Sequence, residues 1–133
     1  MSKPLTIGHL AGVTGVNVET VRYYQRFGII SEPRKPARGY RIYPPDTVDR
    51  IRFIKRAQQL GFSLQEIAEL LQLGDGHCDD VRRRAEEKQA HIDIQINDLK
   101  NLRNTLDKLI KTCQTDNDPI HCPIVETLAG KRP

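Results

Sequence analysis

Residues 6–28, "TIGHLAGVTGVNVETVRYYQRFG", hold two short helical patterns separated by only a turn. Thr6 suits a helix N-cap, because its hydroxyl oxygen can accept from an amide that the first turn leaves unpaired. Ile7, Leu10 and Ala11 follow at helical spacing, and Gly15 suits the left-handed residue that closes a helix. Asn17 then caps a second helix, "VETVRYYQRF", with Gly28 as its stop. Two short helices joined by a tight, Gly-containing turn form a helix-turn-helix. The N-terminal half of the second helix in such a unit enters the major groove of double-stranded DNA. Asn17, Val18, Thr20, Arg22, Tyr23, Tyr24 and Arg26 are therefore candidate DNA contacts, with Glu19 on the same helix. Arginine binds phosphate or guanine bidentately, and tyrosine hydroxyls reach phosphate. The apolar Val18 and Val21 also suit an inward-facing side of the helix.

Charge supports a polyanion partner for this part of the chain. Positions 3–56 carry eleven basic residues against four acidic ones, whereas the remainder is net negative by three. A basic module joined to a mildly acidic one fits nucleic-acid binding by the first module alone. Within the module, "SEPRKPARGYRIYPP" (31–45) is too rich in proline for a long helix. Its "GYRIY" alternates in strand-forming residues, which predicts a small hairpin, or wing. Arg38, Tyr40, Arg41 and Tyr43 would then lie beside the same DNA backbone, although a small core would claim the tyrosines equally well.

From Pro45, "DTVDRIRFIKRAQQLG" reads as an amphipathic helix with Val48, Ile51, Ile54 and Leu60 inward. Ser63 and Glu66 match a capping box for a further helix to about Leu73, burying Leu64, Ile67, Ala68 and Leu71. From Asp79 to about Thr112 there is neither Pro nor Gly, with Asp79 and Asp80 at the expected positive end and Lys108 and Lys111 at the other. Ala85, Ile92, Leu99 and Leu106 recur every seven residues, with Val81, Ile96, Leu102, Leu109 and Ile110 between them. That seam predicts a coiled coil with a second copy of the chain. The expected divisions are a DNA-binding domain over 1–76, a dimerisation helix over 77–112, and a C-terminal loop and tail over 113–133.

The seven-residue step runs back to Cys78 and forward to Cys113. Both thiols share one face, about 52 Å apart along the helix axis. One chain cannot bring them to one ion, but in an antiparallel homodimer Cys78 of one chain lies opposite Cys113 of the other. The loop after Cys113 is long enough to return Cys122 to the same place, giving two three-thiolate sites per dimer. Three thiolates without an obligatory fourth ligand favour a soft cation, above all Hg(II). Structural Zn(II) normally takes four ligands, and His77 and His121, each beside a cysteine, are auxiliary candidates.

Other classes fit less well. Hydrophobic residues are 38% of the 133 and aromatics 5%, so a large interior is not expected. No apolar run approaches the ~20 residues that span a membrane. The N-terminus lacks a secretory-signal pattern, and an odd cysteine count fits free thiols in a reducing cytoplasm. There is no nucleophile–base–acid set and no phosphate-binding glycine loop, so an enzyme is not expected. A redox sensor, with Cys113 and Cys122 forming a reversible disulfide, is the alternative of another class.

"LTIGHLAGVTGVNVETVRYYQRFGII", "GYRIYPPDTVDRIRFIKRAQQLGFSLQEIAELL", the long helix and "CPIVETL" together resemble the MerR family of transcription regulators over essentially the whole chain. Cys78, Cys113 and Cys122 match the mercury ligands of its mercury-responsive branch. Lead-responsive members keep a similar layout, so Pb(II) is the nearest competitor, with Cd(II) and Zn(II) as further alternatives. The resemblance implies a mainly α fold: a winged helix-turn-helix, a long antiparallel coiled-coil helix and a metal-binding loop. It also implies a homodimer on a palindromic operator in the spacer of a promoter. Such a regulator represses with RNA polymerase held inactive, and with metal it activates by distorting the DNA.

Overall fold

Thr6 and Asn17 initiate the first two helices through side-chain caps. The computed structural model describes residues 3–74, 76–115 and 120–131, and every regular element among them is helical. Helix α1 (Ile7–Thr14) has the Thr6 side chain accepting from the His9 amide, and Gly15 closes it in the left-handed region at φ 73°. Helix α2 (Val18–Phe27) begins with Asn17 accepting from the Thr20 amide and ends at Gly28, φ 96°. Both stops need a positive φ that an L side chain adopts at a cost.

Helix α3 (Asp46–Gln59) and helix α4 (Leu64–Leu73) follow; at the start of α4, Ser63 and Glu66 form both halves of a capping box. Helix α1 packs on α2 and α3, and α3 packs on α4. Leu10, Val21, Ile51, Ile54 and Ile67 are fully buried at the centre. Val18, Val48, Leu64, Ala68 and Leu71 are partly buried around them. Two expectations fail in detail. Leu60 is 66% exposed because α3 ends before it, and Leu70 of α4 is buried while Leu71 is only partly so.

Residues 31–44 form no strand, so the hairpin expected over "GYRIY" is a loop instead. Pro33, Pro36 and Pro44 lack the amide donors a ladder needs. The loop is tied down differently. The Tyr43 amide donates to the Leu5 carbonyl at 2.8 Å, and Arg41 donates to the Pro33 carbonyl at 3.0 Å.

The chain forms two compact units, Met1–Arg84 and Ala85–Pro133. Helix α5 (Cys78–Thr115) is 38 residues long, carries Asp79 and Asp80 in its first turn, and buries no residue. It extends beyond the expected Thr112, so Lys108 and Lys111 precede the last turn. Leu99, Leu102, Leu106 and Ile110 of its seam stay exposed in the single chain. Helix α6 (Pro123–Leu128) starts with Pro at its first position, where the missing amide costs nothing.

Candidate nucleic-acid interface and metal centre

The exposed side of α2 is organised before any ligand arrives. Asn17 Oδ1 accepts from both the amide and the hydroxyl of Thr20, at 2.7 and 2.8 Å. Glu19 Oε1 holds Arg22 Nη1 at 2.7 Å, one helical turn apart, with both side chains largely in solvent. The Arg26 guanidinium lies 5.9 Å from the centre of the exposed Tyr23 ring, a cation–π contact. Between α2 and the loop lies an open groove of about 430 Å³ lined in part by Arg22, Arg26, Tyr40 and Arg41. Glu32 balances part of that charge through an ion pair with Arg41 at 3.0 Å. Arg38 and Tyr40 stand exposed on the same loop. Guanidinium groups flanking an open groove are suited to phosphate oxygens.

Tyr24 and Tyr43 belong to the core instead, each only 3% exposed. The Tyr24 hydroxyl donates to Gln58 Oε1 at 2.8 Å, and that of Tyr43 donates to Gln25. Burial pushes both phenols above their ordinary pKa, with Glu32 adding to the effect at Tyr43. Their placement takes them out of the exposed contact set, because both rings pack into the hydrophobic core. Val18 likewise packs against the core.

Sequence reasoning passed over Lys55. Its ammonium reaches from α3 to the Thr14 and Gly15 carbonyls at 3.0 and 3.4 Å, neutralising the end of α1 at the turn. No local spacing signals a contact between residues forty apart. The Glu19–Arg22 pair follows the i, i+3 spacing at which opposite charges meet on a helix.

Cys78, Cys113 and Cys122 are all free and exposed. In the second unit Cys113 lies near the end of α5 and Cys122 immediately precedes α6. No side chain caps α6 by a hydrogen bond. The amides of Val125 and Ile124 in its first turn nevertheless face the Cys122 sulfur and hold that thiol below its ordinary pKa, with a smaller contribution from Cys113. A cysteine thiol held below its ordinary pKa fits a soft cation. Cys78 begins α5 in the first unit, and the described residues of one chain gather no group of three metal-binding side chains. His121 Nδ1 lies 3.1 Å from Glu126, and His77 Nδ1 lies 3.7 Å from Asp80. His121 is thus within hydrogen-bond distance of a carboxylate, whereas His77 is only near one.

Residues 5–73 match the family described as MerR HTH family regulatory protein, and residues 48–109 match that described as MerR, DNA binding. The chain is 44% identical over 129 residues to the mercuric resistance operon regulatory protein of Serratia marcescens, covering 96% of this chain and 90% of that one. The crystal structure of the dual-function transcriptional regulator MerR of Bacillus megaterium MB1 with mercury(II) is 40% identical, with a TM-score of 0.73 over 94% of this chain and 98% of that one. The lead(II) complex of the regulator PbrR691 of Ralstonia metallidurans CH34 is 28% identical, with a TM-score of 0.82 over 93% of this chain and 98% of that one.

Proposed function

Because the chain belongs to the MerR HTH family of regulatory proteins, we propose that this DNA-binding transcription regulator has Hg(II) as its effector and controls a metal-resistance promoter from the reducing cytoplasm. The repressor and activator states are two arrangements of one homodimer on a palindromic operator within a promoter spacer. Without metal, RNA polymerase is held inactive. Metal shifts the balance toward the arrangement that distorts the DNA.

The observation that carries this reading is the exposed apolar seam of α5, in phase with Cys78 at one end and Cys113 near the other. An antiparallel partner covers the seam and sets its own Cys113 and Cys122 against Cys78. Each site then holds three thiolates from two chains. A soft cation would supply there a covalent-strength link between the partners. Relatives named for mercuric resistance support Hg(II) over the alternatives.

A second reading, Pb(II), draws on the likeness to the lead(II)-bound regulator. Cd(II) or Zn(II) would call on His121 or His77 as an added nitrogen donor. Reporter induction from the protein's own promoter separates these readings when a metal panel is set beside peroxide and diamide. Hg(II) should induce at the lowest concentration, and Cys78→Ser, Cys113→Ser or Cys122→Ser should each abolish the response while leaving operator binding intact. Preferential response to another metal would reassign the effector. Induction by oxidant alone would give the Cys113–Cys122 pair to redox sensing instead.

A further inference from the structure

Glu19 is one of only four acidic residues among the eleven basic ones of positions 3–56, and it stands on the helix that meets DNA. Its place in the first turn of α2 favours the helix dipole. Any first-turn carboxylate would do that, and it requires no partner. Glu19 nevertheless holds Arg22 at 2.7 Å, with the carboxylate side chain 71% exposed and the arginine 52%. An ion pair this exposed adds little to stability. A carboxylate here also repels phosphate from a helix start that would otherwise attract it. These costs are offset if the carboxylate faces base edges.

We infer that Glu19 and Arg22 form a preassembled reader of a single G·C base pair in each half-site, an inference that rests on the DNA-binding reading above. In the major groove, guanine offers the acceptors N7 and O6, and its cytosine partner offers the N4 donor beside them. An arginine donor edge adjoining a carboxylate acceptor presents the complementary order. Arg22 donates to the guanine, and Glu19 accepts from cytosine N4. Their mutual hydrogen bond sets the Arg22 donors beside the Glu19 carboxylate in the order that the base pair requires. An A·T pair at the same place sets an acceptor, adenine N7 or thymine O4, against one member of the dyad. Glu19 is thus a specificity-determining residue, separate from the phosphate-facing arginines of the loop.

The test is selection of binding sites from a randomised duplex library by the full-length protein, followed by affinity measurements on single-base variants at fixed salt. Wild type should prefer one G·C pair at the position under the start of α2 by about tenfold or more. Glu19→Ala should lose that preference while binding unrelated DNA at least as tightly. Glu19→Gln keeps the size and an acceptor for Arg22, but glutamine pairs with adenine, so its preference should move toward A·T at that one position. Unchanged preference in both variants, or a uniform change in affinity at every position, would overturn the inference and leave DNA binding standing. A wild-type protein that selects no sequence at all would instead overturn the premise of DNA reading. Circular dichroism melting of each variant shows that the exposed substitution leaves the fold in place.

Discussion

Tyr24 keeps a neutral phenol in the core with its hydroxyl on Gln58, and that arrangement makes stability depend on alkaline pH. The unfolded chain releases the phenolic proton near pH 10, whereas burial raises the folded value. Stability from this group is therefore complete below about pH 10 and is lost as pH rises through the folded value. Urea unfolding across pH 8–12 should show a fall above about pH 10 that is shallower in Tyr24→Phe, even though Tyr24→Phe is less stable at neutral pH. Equal slopes for both proteins would detach Tyr24 from the effect. The two tyrosines also mark the limit of sequence reading at this scale. "RYYQR" places adjacent tyrosines 100° apart on a helix, so one faces inward and the other outward. The i, i+3 spacing from the buried Val21 turns Tyr24 inward and Tyr23 outward, whereas no local pattern reports that Gln58 on α3 meets the Tyr24 hydroxyl.

Among the elements, the caps were the most legible, because Thr6, Asn17 and Ser63 act within three residues of themselves. The loop over 31–44 was the least legible. Strand propensity in "GYRIY" was outweighed by prolines that cannot join a ladder, by a tie within the loop to Pro33 and by a long-range tie to Leu5. Helix α5 was visible from its seven-residue period, yet the described residues of a single chain leave its seam exposed. Leu99 and Leu106 are exposed on the described surface, and each buried leucine contributes about 1.5–3 kcal/mol. Replacing both with Asn should convert the protein to a monomer in sedimentation velocity, and with it abolish tight metal binding. A double variant that stays dimeric would show that the seam is not the interface.

At the scale of the whole molecule, the thiols divide according to what one chain can assemble. Cys113 and Cys122 both lie in the second unit, while Cys78 belongs to the first. The sequence register already paired Cys78 with the others only across a dimer, since one helix cannot fold its two ends together. In the proposed antiparallel dimer the sensing site and the dimer would be the same object: metal bound at either end of the coil would act on both DNA-binding units at once, biasing a bistable protein–DNA complex. The most direct measurement mixes Cys78→Ser chains with Cys113→Ser chains under conditions that exchange subunits. Neither variant alone should bind Hg(II) tightly in competition with a small thiol. The mixed protein should recover one tight site per heterodimer, formed from the intact Cys78 of one chain and the intact Cys113 and Cys122 of the other. Full binding by either single variant, or no recovery in the verified heterodimer, would contradict a site shared between antiparallel chains.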